Sequence, residues 1–175
     1  KAALADFLLH YGNDVRELAA KGVPMLFAGN SMELLGKSIT DAEGKEYNGI
    51  GLAAFTSVQG KRRIVEDVYG QTDLYPEPIV GFMNKCSILS GVETPLITSM
   101  AMGFGNEARN SPEGFHWNNV FASQLTGPIL VKNPRLLDAV ITAIHAHRGE
   151  PLPAELPRDD YAEAGFAVTA EQLKL

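Results

Sequence analysis

Cysteine is almost absent from this sequence of 175 residues, which contains a single thiol, Cys86. One thiol excludes an intramolecular disulfide, and with it the class of small secreted proteins that disulfides hold together. Long hydrophobic runs are also missing, since none approaches the roughly 18–20 residues of a transmembrane helix. The first residues lack a basic segment followed by an apolar core, so we expect no signal peptide. These absences favour a cytoplasmic globular protein.

Positive charge is in short supply as well. The 15 Lys and Arg residues are outnumbered by 21 Asp and Glu residues, which gives a net charge of −6. An acidic surface argues against non-specific nucleic-acid binding and against docking on an anionic membrane. The four histidines offer no metal site, because His145 and His147 lie two apart on a predicted helix and point to different faces. We expect no metal and no cofactor.

The N-terminal third predicts a helix, a strand and a second helix. Apolar spacing predicts an amphipathic helix over 2–20, broken near Gly12 and ended by Gly22. The apolar run 23–28 predicts a parallel strand buried on both faces. Ser31 then offers an N-cap for a helix reaching about residue 37.

The rest of the chain predicts strands followed by a closing helix. Turn signals at Gly44, Gly49 and Gly60 predict short strands and hairpins. Further strands are expected after them, the last of which is a single strand over 115–127. A helix is predicted over 134–148, with Asn133 as its N-cap. We therefore expect an α/β domain over 1–149, a three-layer sandwich, and a Pro-rich, charged arm over 150–175.

Two stretches resemble a known family. "GVPMLFAGNSMELLG", residues 22–36, and "GFGNEARNSPEGFHWNNVFASQLTGPILVKNP", residues 103–134, resemble class I glutamine amidotransferases. The closest branch contains cobyric acid synthase and the glutaminase subunit of lipid II isoglutaminyl synthase, which is bacterial and acts in peptidoglycan synthesis. The resemblance implies a flavodoxin-like fold and an ATP-dependent synthetase as partner, Mur-ligase-like in the lipid II case. It also implies further strands before Lys1, so we expect the sequence to be a piece of a longer protein.

The same resemblance places the family's reactive residues on unreactive ones. Aligning "LLG" puts the nucleophilic cysteine at Gly29, and aligning "GPILVKNP" puts the catalytic histidine at Thr126. Glycine has no side chain, and a threonine hydroxyl is no base near neutral pH. The expectation is a pseudoenzyme that binds its partner without hydrolysing glutamine.

Two active alternatives remain open. The first is a serine-type hydrolase that uses Ser31 with His116 as a base, although a helix-capping role for Ser31 is favoured. The second is an active glutaminase with displaced catalytic residues. Cys86 is interpreted as a small core residue, and the basic run 61–63 as a solvated turn.

Five polar residues are candidates for a pocket or a partner-facing surface. They are Asn30, Glu33, Asn106, Glu107 and Arg109, and the last three belong to a loop with more polar side chains than a turn requires. A ligand there could be a glutamine-like molecule or another carboxylate.

Overall fold

The computed structural model describes residues 2–174, except for the side chains of residues 2–6, 8 and 9. It is a mixed α/β fold with several-stranded sheets and helices, as predicted for an amidotransferase-like domain. The expectation of additional strands before Lys1 lies outside the described residues.

The N-terminal helix α1 spans Ala2–Ala20 and is continuous, so the predicted break near Gly12 is wrong. It ends as predicted at Gly22, whose φ of 74° lies in the left-handed region that favours glycine. Strand β1, Met25–Ala28, follows and pairs in parallel with a later strand, β8. It is only half-buried, not buried on both faces, because it lies at the edge of its sheet among the described residues.

The small sheet is formed by β1, β8 and β7, in that order. Strands β7, Phe115–Trp117, and β8, Val120–Ser123, form an antiparallel hairpin. The segment 115–127 is therefore not the single strand that was predicted. The chain reverses at Asn118, whose φ is 51°, and asparagine tolerates this conformation better than most residues.

The larger sheet has the order β3, β2, β4, β5 and β9, with β6 also paired to β4. Its strands are β2 Ser38–Thr40, β3 Glu46–Asn48, β4 Thr56–Gln71, β5 Ile79–Ser90, β6 Ser99–Met102 and β9 Leu125–Thr126. The predicted turn at Gly44 is confirmed as the β2–β3 connection. Gly60, in contrast, lies inside β4, where the register shifts between Gln59 and Ile64. It marks a β-bulge instead of a turn.

Three helices complete the fold. Helix α2 spans Ile129–Lys132, and α3 spans Pro134–Arg148 with proline in its first turn, as predicted. Asn133 does not cap α3 with its side chain but exchanges two hydrogen bonds with the backbone of Val80. The C-terminal segment is not extended throughout, because Asp160–Leu173 forms helix α4, capped by Asp159.

Two apolar clusters form the core. One lies between the larger sheet and α3, around Val68, Met83 and Leu136. The other lies beneath α1 and the segment after β1, around Met32, Leu35 and Phe55. The segment after β1 and strand β9 are thereby held against packed layers, and these two elements carry the aligned positions Gly29 and Thr126.

Candidate functional site

The turn after β1 is built on Gly29. This residue has a φ of 63° and opens a 3₁₀ helix, Gly29–Leu35, where an α-helix up to residue 37 was predicted. Residues with a Cβ pay a steric penalty at that φ, whereas glycine does not. The apex of this strand–turn–helix unit is therefore Gly29 itself.

Thr126 lies directly beside this apex. A Cβ built on Gly29 would be 3.9 Å from the Thr126 Cγ2 atom, an ordinary van der Waals contact. Thr126 belongs to β9, pairs with Phe82, and donates a hydrogen bond of 3.1 Å from its hydroxyl to the Phe82 carbonyl. The two positions at which the resemblance places a nucleophile and a base are thus neighbours in space.

Ser31 does not cap a helix. It lies inside the 3₁₀ helix, and its hydroxyl donates to the Ala28 carbonyl at 2.8 Å. The residue that precedes this helix is Ala28, which has no side-chain cap to offer.

His116 lies two strands away from the strand that leads to Ser31. It is on β7, in register with Phe121 on β8 and Leu26 on β1. Two strand spacings are about 10 Å, and Ser31 lies beyond the end of β1. The His116 ring contacts Phe121 at 4.9 Å between centroids, and burial lowers the pKa of His116. The fold does not bring Ser31 and His116 together as a nucleophile and its base.

The candidate pocket residues occupy different environments. Asn30 is exposed, whereas Glu33 and Asn106 are buried, with exposures of 3% and 4%. The Asn106 side chain donates to the Gly114 carbonyl and accepts from the Gly114 amide. Glu107 accepts from the Gly91 amide at 3.1 Å. Burial and hydrogen bonds to other parts of the chain therefore hold the Glu33 and Asn106 side chains inside the fold.

Glu33 begins a chain of buried hydrogen bonds. Its two carboxylate oxygens accept from the Ser57 and Ser87 hydroxyls at 2.7 and 2.8 Å. The Gln124 amide nitrogen donates to the Ser87 Oγ at 2.8 Å, and the Gln124 Oε1 accepts from the Lys85 ammonium at 2.5 Å. We call these five residues the buried polar network. It connects the 3₁₀ helix that starts at Gly29 to the segment that leads into Thr126.

Lys85 of this network, and Glu113 beside it, have shifted pKa values. Burial lowers the pKa of Lys85 to about 8, against the opposing effect of Glu113 and Glu33. Burial raises the pKa of Glu113, which accepts hydrogen bonds from the Ser123 hydroxyl and the Gln124 backbone amide. Lys85 also donates to the Gly105 carbonyl at 2.6 Å. Each charged group therefore has hydrogen-bond partners in a place that water does not reach.

Sequence reasoning missed Lys85, Gln124 and Glu113. One signal was available, because β5 alternates, and Gly81, Met83, Lys85, Ser87 and Leu89 all face the interior. A lysine on the same strand face as the buried Met83 and Leu89 requires a buried hydrogen-bond partner. The partners themselves come from segments 20 and 39 residues away, which no local pattern connects.

Comparisons with known proteins identify the family of this chain. Residues 5–134 match the family described as the CobB/CobQ-like glutamine amidotransferase domain. The chain belongs to this family. The fold class and the resemblance drawn from the two sequence stretches are therefore confirmed.

Two curated amidotransferase relatives bear the name lipid II isoglutaminyl synthase (glutamine-hydrolyzing) subunit GatD. The protein from Staphylococcus aureus is 26% identical over 151 residues, covering 86% of this chain and 61% of the relative. The protein from Streptococcus pneumoniae is 32% identical over 124 residues, covering 69% of this chain and 47% of the relative. The chain thus spans about half to three fifths of the length of these relatives.

The described residues also bear on membranes and metals. Among residues 2–174, no helix combines the length and the apolar character needed to cross a bilayer. Over the same described part of the chain, no three His, Cys, Asp or Glu side chains are grouped as metal ligands.

Proposed function

We propose that this chain is an amidotransferase-like subunit that does not hydrolyse glutamine and acts as a binding, scaffold or regulatory subunit of an ATP-dependent synthetase. The observation that supports the proposal is that Gly29 and Thr126, the two aligned catalytic positions, are neighbours, since a Cβ built on Gly29 would contact the Thr126 side chain. Hydrolysis by the family's route needs a thiolate and an imidazole within hydrogen-bond reach of each other. Loss of either partner removes most of the rate enhancement, and loss of both costs about the same.

A displaced catalytic pair lacks support in the fold. Cys86 lies on β5 four residues beyond Phe82, the pairing partner of Thr126, which is about 13 Å along the strand. Ser31 donates its hydroxyl proton to a backbone carbonyl and is remote from His116. The serine-hydrolase and displaced-glutaminase alternatives therefore rank below the proposal.

The partner is inferred from the relatives. Both carry the word subunit in their names, beside a synthase activity. We infer a heteromeric synthetase partner, Mur-ligase-like if this chain follows the lipid II branch. We further propose that the turn at Gly29, with its left-handed φ of 63°, holds a glutamine-like or carboxylate molecule without turning it over.

The test is ammonia release from glutamine by the full-length protein, alone and with the proteins that co-purify with it from its host. We expect no release above a heat-killed control in either case, together with a stoichiometric synthetase in the purified complex. Release proportional to protein concentration would overturn the proposal. The variants Ser31→Ala, Cys86→Ser and His116→Ala would then identify the groups responsible.

A reactive-serine probe addresses the hydrolase alternative separately. A fluorophosphonate should leave Ser31 unlabelled, because no base lies within hydrogen-bond reach of its hydroxyl among the described contacts. Labelling of Ser31 that the His116→Ala variant abolishes would establish the alternative.

A further inference from the structure

Strand β4 contains a bulge that faces the only thiol of the sequence. Gln59 pairs with Ser87 and Ile64 pairs with Lys85, so the four residues 60–63 oppose Cys86 alone. A bulge of this size bends the strand away from its partner and redirects its side chains. The basic run Lys61, Arg62 and Arg63 is therefore part of the bulge and not of a solvated turn.

The bulge borders a cavity of about 580 Å³. Besides the three basic residues, a fourth cation lines it from the opposite loop, Arg109, which forms an ion pair with Glu66. Four cations and one carboxylate thus surround one cavity in a chain whose net charge is −6. The local charge of the cavity is therefore positive, whereas the net charge of the chain is negative. Positively charged clefts raise the local concentration of anions.

Two of these cations have no partner among the residues that the structure describes. Arg63 donates to Asn84, and Arg109 binds Glu66. In the part of the chain that the structure describes, the Lys61 and Arg62 side chains form neither an ion pair nor a hydrogen bond. Their charges are available to a ligand.

Apolar side chains line the same cavity as the cations. They are Phe104, Ile64, Val65 and Ile88. The volume lies within the range of small-molecule sites, which combine apolar side chains with a few charged groups that orient the ligand. A molecule with an anionic head and an apolar body would match both kinds of side chain.

We propose that this cavity binds a small phosphate-bearing molecule with an aromatic or other apolar body. Lys61 and Arg62 hold the phosphate, Arg63 supports them through its bond to Asn84, and Phe104 contacts the apolar body. Arginine is favoured for phosphate because its planar fork donates two parallel hydrogen bonds. The cavity contains neither Gly29 nor Thr126, so this proposal stands or falls independently of the proposed function.

Cys86 supplies a local reporter for the test, because it lines the same cavity. The full-length protein is treated with N-ethylmaleimide, and the modified Cys86 peptide is quantified by mass spectrometry over time. The probes are phenyl phosphate, which has an apolar body, and inorganic phosphate, which lacks one. Isothermal titration calorimetry gives the affinities and applies equally if Cys86 reacts too slowly to follow.

We expect phenyl phosphate to slow the modification of Cys86 and to bind with a stoichiometry of one, more tightly than inorganic phosphate. Lys61→Gln combined with Arg62→Gln should weaken binding about tenfold or more, since hydrogen bonds to charged groups are among the stronger ones. Both residues are exposed, so the variant should fold. Lys21→Gln combined with Arg148→Gln removes the same charge from two exposed sites outside the cavity and should leave the affinity within about twofold.

Several results would overturn the proposal. Absence of calorimetric binding by millimolar phenyl phosphate is one, and equal loss of affinity in both double variants is another. Slowing of Cys86 modification by sodium chloride at matched ionic strength, to the same degree as by phenyl phosphate, would reduce the effect to non-specific screening. Equal affinity for phenyl phosphate and inorganic phosphate would show that the apolar side chains of the cavity do not contact the ligand.

Discussion

Gly29 has a conformation that glycine adopts without strain, and the family resemblance aligns this position with the nucleophilic cysteine. Its neighbour Thr126 is close enough that side chains at both positions would touch. The pair therefore offers a direct test of whether the aligned positions correspond to a lost nucleophile and base.

The first prediction concerns restoration of that pair. In Gly29→Cys combined with Thr126→His, the pKa of the introduced thiol should be lower than in Gly29→Cys alone, because an adjacent imidazolium stabilises the thiolate. The measurement is the pH dependence of alkylation at position 29, read on its own peptide so that Cys86 does not interfere. Both variants place a side chain at positive φ, which costs each of them about 1–2 kcal/mol of stability. This backbone strain is the same in both variants and does not affect the difference between their thiol pKa values. Identical pH profiles would mean that the two positions do not face each other.

The second prediction concerns Asn106, a sequence candidate for ligand contact that proves to be buried. Asn106→Ala removes the donor and the acceptor that pair with the Gly114 backbone, leaving both groups buried and unsatisfied. The free energy of unfolding in urea should fall by about 2–4 kcal/mol. Glu107→Gln, next in sequence but exposed and still able to accept from Gly91, should change it by less than about 0.5 kcal/mol. Equal effects would place Asn106 at the surface.

At the scale of elements, α4 is held by ion pairs more than by apolar packing. None of its residues is buried, and Glu163 pairs with Arg135 of α3 and with Arg158. Asp138 of α3 binds the same two arginines. These side chains are partly exposed, so the pairs contribute modestly to stability and weaken with salt.

The third prediction follows from this arrangement. Glu163→Gln should speed hydrogen exchange in 160–173 while leaving the global free energy of unfolding within about 1 kcal/mol of the wild type. Glu171→Gln, at the other end of α4, serves as the matched control and should leave exchange unchanged. The measurement is hydrogen exchange of residues 160–173, followed by mass spectrometry. Unchanged protection in Glu163→Gln would show that another contact holds the helix.

The sequence predicts an element well when the residues that determine it lie close together along the chain. Pro134 marks the start of α3 correctly, because helix start signals act over one turn. Gly60 failed as a turn signal, since a bulge and a turn both use glycine and only the pairing partner distinguishes them. Asn133 occupies the predicted N-cap position, but its side chain does not cap the helix because it binds Val80, which is 53 residues away. Local sequence patterns do not reveal partners that are so distant along the chain.

The candidate site likewise contains features that the local sequence could not predict. The adjacency of Gly29 and Thr126 was implied only through the family resemblance, and spacing alone could not have given it. Ser31 and Glu33 were misplaced because the predicted α-helix is a 3₁₀ helix, in which side chains at a given spacing face differently.

At the scale of the whole molecule, the buried polar network joins separate parts of the fold. It contacts the 3₁₀ helix, β4, β5 and the segment between β8 and β9. Its charged lysine is 1% exposed, so its protonation is coupled to folding.

The fourth prediction is the resulting pH dependence. Because burial lowers the pKa of Lys85 to about 8 from 10.5, the unfolded chain binds more protons between these values, and stability from this group rises with pH. The unfolding free energy of the wild type relative to Lys85→Met should rise by about 1–2 kcal/mol from about pH 8 to about pH 9.5. Tyr75, whose pKa burial raises, is common to both proteins and cancels in the difference. A constant or falling difference would contradict the shifted pKa.

The network also has a consequence for the order of events during folding. Its hydrogen bonds connect residues separated by 24, 54, 37 and 39 positions, so each requires a long loop to close. Glu33 or Lys85 docked before its partners would be a desolvated charge without compensation. The network should therefore form after the transition state, and its loss should speed unfolding much more than it slows refolding. These five side chains then contribute mainly to the lifetime of the native state.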